Sequence, residues 1–156
     1  MNPEVLVLRP HHILDMIRNL GNRRPLVPHP YGHLVHEITP LLREDPDRLC
    51  RLVARNDAVC GPCRMLDSRG LCTDVLSQLE KPVSKQEYND GLDRRLLAFL
   101  GIRDGETMSL RDFLERAGRN PEALISLCTH PGEPREVRMT GLSRGYALLG
   151  LTFPET

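Results

Sequence analysis

Residues 60–72 read CGPCRMLDSRGLC, and no other stretch limits the possible folds of this chain so strongly. The C-x2-C pair, Cys60 and Cys63, sits on a turn fixed by Gly61 and Pro62, so both thiols can serve one metal centre. Cys72 follows a polar loop with Gly70 at its tip, a length that lets the chain fold back and offer a third sulfur. The remaining two of the five cysteines are Cys50 and Cys128. An odd count with three clustered thiols is not the pattern of a secreted disulfide framework. In a reducing compartment such a cluster binds metal or does redox chemistry, so a cytoplasmic location is expected. A thioredoxin-type dithiol would need a strand–helix context that is missing here. Cys128, in the apolar run ALISLC, reads as a small core residue.

A chain of 156 residues reads as one domain, able to bury roughly two thirds of its unfolded surface without a metal to hold it together. The 21 basic and 21 acidic residues cancel, and no basic block carries interleaved aromatics, so no nucleic-acid partner is expected. No apolar run reaches membrane-spanning length, and MNPEVLVLRP lacks the make-up of a signal peptide, so no membrane association is expected either.

Periodicity predicts a mostly α fold with a small β element, an α+β domain. EVLVL, residues 4–8, reads as a strand. Pro10 opens a helix whose apolar stripe is Ile13, Met16, Ile17 and Leu20, stopped at Gly21. A proline-rich loop leads to a second helix over about 30–39, ended or kinked by Pro40. DRLCRLVAR, 47–55, fits helix or strand equally. SKQE, 84–87, is a capping box opening a long helix with the stripe Tyr88, Leu92, Leu96, Phe99 and Leu100, closed by Gly101. Ser109 caps the next helix, Pro121 starts a short one, and GLSRGYALLGL forms the last.

Three cysteines call for a fourth ligand. Cys50 lies ten residues before Cys60 and is within reach. His11 and Asp15, at i and i+4 of the first helix, share a face with Arg18 opposite the apolar stripe, a face that is either solvated or functional. A second group, His29, His33 and His36 beside Glu37, has spacings that can also converge on a metal, or face solvent.

Arg9-Pro10-His11-His12, then Asp57-x2-Cys60-x2-Cys63 and Cys72, resembles the small bacterial and archaeal family called domain of unknown function 1284. The resemblance extends into LLAFLGI and DGETMSLRDF, while residues from about 119 onward look like a C-terminal helical extension beyond it. It implies an iron–sulfur protein, with a [4Fe–4S] cluster on Cys60, Cys63, Cys72 and either Asp15 or Cys50. The family pattern has a cysteine shortly after the RPHH element, where this chain has Asp15. Asp15 is therefore the expected ligand, with His11 as a neighbour that hydrogen-bonds or gates the site. A carboxylate-bound iron is exchangeable, as an enzyme acting on a small molecule would need, with His11 or His12 as acid or base. Pure electron transfer would need only a redox partner. The alternative is a structural zinc site on the same cysteines, completed by His11, Asp15 or Cys50, in an interaction module.

Overall fold

The first helix, α1 (Pro10–Gly21), leaves the end of a short strand, β1 (Leu6–Leu8). Pro10 occupies its first turn, where a missing N–H costs nothing. Ile13, Met16, Ile17 and Leu20 are buried, as the stripe predicts, and Leu14 is buried with them. The computed structural model describes residues 5–77 and 81–154. Along them follow α2 (Val35–Glu44), β2 (Leu49–Leu52), a 3₁₀ turn (Ala58–Cys60), β3 (Val75–Leu76), β4 (Val83–Ser84) and α3 (Lys85–Leu100). Then come β5 (Thr107–Ser109), α4 (Leu110–Gly118), α5 (Pro121–Cys128) and α6 (Arg135–Leu148). The fold is α+β in a single domain, with strands in small sheets.

The ambiguous 47–55 segment becomes a strand because it finds partners on both sides. β2 pairs parallel with β1 (Val7 opposite Arg51) and antiparallel with β5 (Cys50 opposite Met108). β5 itself carries no alternation long enough to announce it. β3 and β4 form a separate antiparallel pair.

Local capping works as expected. Ser84 Oγ accepts from Glu87 N, Ser109 Oγ accepts from Asp112 N, and Gly101 ends α3 in the left-handed conformation at φ +68°. Three expectations shift. Residues 30–32 form a turn, with Gly32 at φ +83°, so α2 starts at Val35 and then continues through Pro40. On α3 the buried set is Leu92, Asp93, Leu96 and Leu97, while Phe99 stays exposed. α6 begins at Arg135, ahead of the GLSRGYALLGL segment.

The core joins α1, the three-stranded sheet, α3, α4, α5 and α6 through Leu8, Leu52, Leu96, Phe113, Leu124 and Leu142. Segments after residue 119 are part of this body. Tyr146 of α6 is fully buried and donates its hydroxyl to Leu114 O at 2.7 Å. α6 lies backbone-to-backbone on α1, because glycines face the crossing. A Cβ on Gly145 would stand 2.7 Å from Ile17 Cγ2, and one on Gly141 2.8 Å from Arg18 O.

Candidate metal centre

The first turn of α1 has no side-chain cap of its own. Its free amides are instead met by carboxylates from elsewhere in the chain, which the N-terminal end of the helix dipole favours. Asp57 Oδ2 accepts from Arg9 N at 2.7 Å, and Asp93 Oδ1 of α3 accepts from His11 N at 2.9 Å. The same carboxylates hold the two imidazoles. His11 Nδ1 lies 2.8 Å from Asp93 Oδ2, and His12 Nδ1 lies 2.9 Å from Asp57 Oδ2, the two rings being 4.4 Å apart. In each dyad Nδ1 faces a carboxylate, so Nδ1 is the nitrogen that donates to it and Nε2 is the ring nitrogen turned away from it.

Beneath the histidines, Arg9 is completely buried. Its guanidinium donates to Asp93 Oδ2 (2.9 Å), Asp90 Oδ1 (2.6 Å) and Asn56 Oδ1 (2.9 Å). Burial works against its charge, but Asp90 and Asp93 more than offset that and raise its pKa. These partners lead on to the cysteine loop. Asn56 Nδ2 donates to Gly70 O and to Gln86 Oε1, and Gln86 Oε1 also accepts from Cys72 N at 2.7 Å. Gln86 in turn donates to Asp90. The RPHH element and the cysteine loop are thus one hydrogen-bonded unit.

Asp57 also builds the turn that carries Cys60. Its Oδ1 accepts from Val59 N at 3.1 Å, and its backbone carbonyl accepts from Cys60 N. Cys63 N then bonds Cys60 O, closing the C-x2-C turn. Cys72 bridges back to Leu66 across the loop.

Over this floor opens a cavity of about 340 Å³, lined by His11, His12, Asp15, Cys60, Cys63 and Cys72, and also by His33, Cys128 and Arg138. Among the described residues, one group gathers its ligand atoms within 4.8 Å of one another: His12, Asp57 and Cys60. Burial, and then the Asp57 charge, push the Cys60 thiol up to about 12, so the thiol is protonated until a cation displaces the proton. Burial opposes the charged form of His12, yet the Asp57 carboxylate prevails and raises its pKa; Asp57 itself lies below the usual carboxylate range, the His12 partner outweighing its burial.

The other sequence candidates lie as follows. Asp15 lines the cavity, but Arg138 Nη2 of α6 holds its Oδ1 at 2.8 Å and Arg18 approaches to 3.5 Å. Burial would raise its pKa, but Arg138 and Arg18 bring it down to about 2. Cys50 is wholly buried in β2, facing the core, and is not among the residues lining the cavity; burial pushes its thiol up to about 12. Cys128 is a core residue as expected, and its sulfur also reaches the cavity wall, 3.6 Å from Arg138 Nη1. His29 stacks on His33 at 4.1 Å, and His36 Nε2 stands 3.7 Å from Glu37. Of these three histidines, His33 reaches the cavity. Burial, with His29 next, lowers its pKa to about 4.

Sequence reasoning passed over Gln86, Asp90, Asp93 and Arg138. A signal was there for the first three. They recur at i, i+4 and i+7 of α3 and form a polar stripe beside the apolar one. Arg138 had none for its contact with Asp15, which only the packing of α6 on α1 brings to it; its other partner, Glu133, stands five positions before it in the chain.

No family model matches the chain, and neither the curated proteins nor the solved structures compared with it give a match.

Proposed function

We propose that this protein holds an iron–sulfur cluster of the [4Fe–4S] type on Cys60, Cys63 and Cys72, and uses it on a small molecule that enters the cavity. The observation that carries this reading is the cavity itself. Three thiols border a space of about 340 Å³ shared with two carboxylate-held histidines. Soft thiolates suit iron–sulfur centres. Four ligands on one tetrahedral zinc stand only about 3.8 Å apart, from a Zn–S bond of about 2.3 Å. The three thiols do not gather so closely among the described residues, and a multi-iron centre fills the wider space better. When bound, such a cluster supplies one-electron redox capacity, and Lewis acidity at any iron that lacks a thiolate.

The chain's own residues fit that use. His11 is fixed by Asp93, and its Nε2 is left to exchange a proton with a bound molecule. Arg9 keeps both carboxylates in place from below. A reducing, cytoplasmic setting belongs to the same proposal, since clustered thiols of this kind are kept for metal or redox chemistry there. No helix is long and apolar enough to cross a membrane.

A single structural zinc is the second reading, favoured by the close approach of His12 and Cys60. Anaerobic purification followed by iron, acid-labile sulfide and zinc analysis separates the two. Equal iron and sulfide are expected. One equivalent of zinc without sulfide would overturn the cluster in favour of the zinc module.

A further inference from the structure

Three thiols leave one position of the proposed centre unassigned, and the two ligands expected from the sequence are otherwise engaged. Asp15 forms ion pairs with Arg138 and Arg18, and Cys50 is committed to the sheet. We propose that His12 completes the centre through Nε2, with Asp57 as the residue that orients it. This assignment rests on the thiolate-held cluster proposed above.

Three observations support it. First, His12 borders the same cavity as Cys60, Cys63 and Cys72. Second, Asp57 is not free to ligate. Its Oδ2 accepts from Arg9 N and faces His12 Nδ1, and its Oδ1 accepts from Val59 N. A carboxylate behind an imidazole fixes the tautomer that presents Nε2 and raises its basicity, an arrangement recurrent at metal-binding histidines. Third, the same carboxylate builds the turn bearing Cys60. One side chain therefore sets the distance between an imidazole and a thiol that come from segments 48 residues apart.

His11 has an equivalent carboxylate in Asp93, but Asp93 belongs to α3 and takes no part in the turn that bears Cys60. The two neighbouring histidines thus divide the work: His12 binds the centre, and His11 faces the bound molecule.

The test is pulsed electron paramagnetic resonance on the reduced, anaerobically purified protein, with iron and sulfide counted on the same sample. The wild type should show a histidine nitrogen coupled to the cluster and about four irons per chain. His12→Ala should lose that coupling and, after mild oxidation, fall to about three irons with a [3Fe–4S] signal. His12→Cys replaces the ligand and should keep about four irons while losing the coupling, which guards against a His12→Ala protein that fails to fold. Asp57→Asn, a change at the positioning residue, should shift the coupling and weaken metal retention by about 10–100-fold. Asp15→Asn should leave the coupling unchanged. A loaded wild-type cluster without histidine coupling, or a coupling that survives in His12→Cys, overturns the His12 assignment and leaves the cluster standing. A wild type without iron and sulfide overturns the cluster, and this assignment with it.

Discussion

Replacing Gly145 by alanine should destabilise the protein, although alanine is the better helix former. In an open helix the change would gain about 0.5–1 kcal/mol. At Gly145 the new Cβ would stand 2.7 Å from Ile17 Cγ2 and 2.9 Å from the Ile17 carbonyl carbon, with the carbonyl oxygen closer still. Ordinary contacts of a Cβ lie near 3.4–4 Å, so α6 would have to back away from α1 by about 1 Å. The obstacle is backbone and cannot swing aside. Overpacking of this kind costs about 1–3 kcal/mol or more, so after the propensity gain a net loss of about 2 kcal/mol is expected. For a chain of this length that is a fall in Tm of roughly 4–8 °C. Gly91 supplies the control. It is also inside a helix, but its Cβ would meet only the mobile end of Arg95, at 3.3 Å. Gly91→Ala should raise Tm by roughly 1–4 °C. Thermal and urea unfolding followed by circular dichroism measure both. Because α1 carries His11 and His12, Gly145→Ala should also lower metal content. If the two variants moved Tm in the same direction, the close α1–α6 crossing would be refuted.

Asp93→Ala should cost about 3–5 kcal/mol, because it strips the buried Arg9 guanidinium and the His11 amide of their shared carboxylate; urea midpoints equal to wild type would show that Asp90 alone satisfies Arg9. Cys50→Ser should leave metal content intact and destabilise by about 1–3 kcal/mol, since it places a hydroxyl in a fully buried strand; loss of metal instead would make Cys50 a ligand. Asp15 has its folded pKa depressed to about 2 against an ordinary 3.8, so its ion pairs stabilise the protein above pH 4 and lose that effect as pH falls from about 4 to 2. Its side chain is one-third exposed, so the contribution is about 1 kcal/mol after screening; Asp15→Asn should lose it at neutral pH and flatten the acid limb of the stability curve in that window. An acid limb unchanged in Asp15→Asn would contradict the Arg138 pairing.

Some of this protein was legible in the bare sequence because the causes are local. Pro10, the Ser84 and Ser109 caps and Gly101 act on residues within four positions of themselves, and the helices they bound are there. The spacing of Cys60, Cys63 and Cys72 likewise declared itself, since a turn and a short loop are enough to turn three thiols to one cavity. What tertiary structure alone decided involves partners far apart in the chain. The polar face of α1 was as compatible with solvent as with a site until α6 laid Arg138 against Asp15, 123 positions away. Cys50 was within chain reach of the cysteine loop, but pairing with β1 and β5 turned it into the core, because a strand flanked on both sides cannot also swing to a loop. In sequence, Asp57 stands only as a member of the cysteine motif and Asp93 as an ordinary acid. They became the caps of α1 and the anchors of both histidines because a helix N-terminus left without its own cap must find acceptors, and the fold brings these two carboxylates to it.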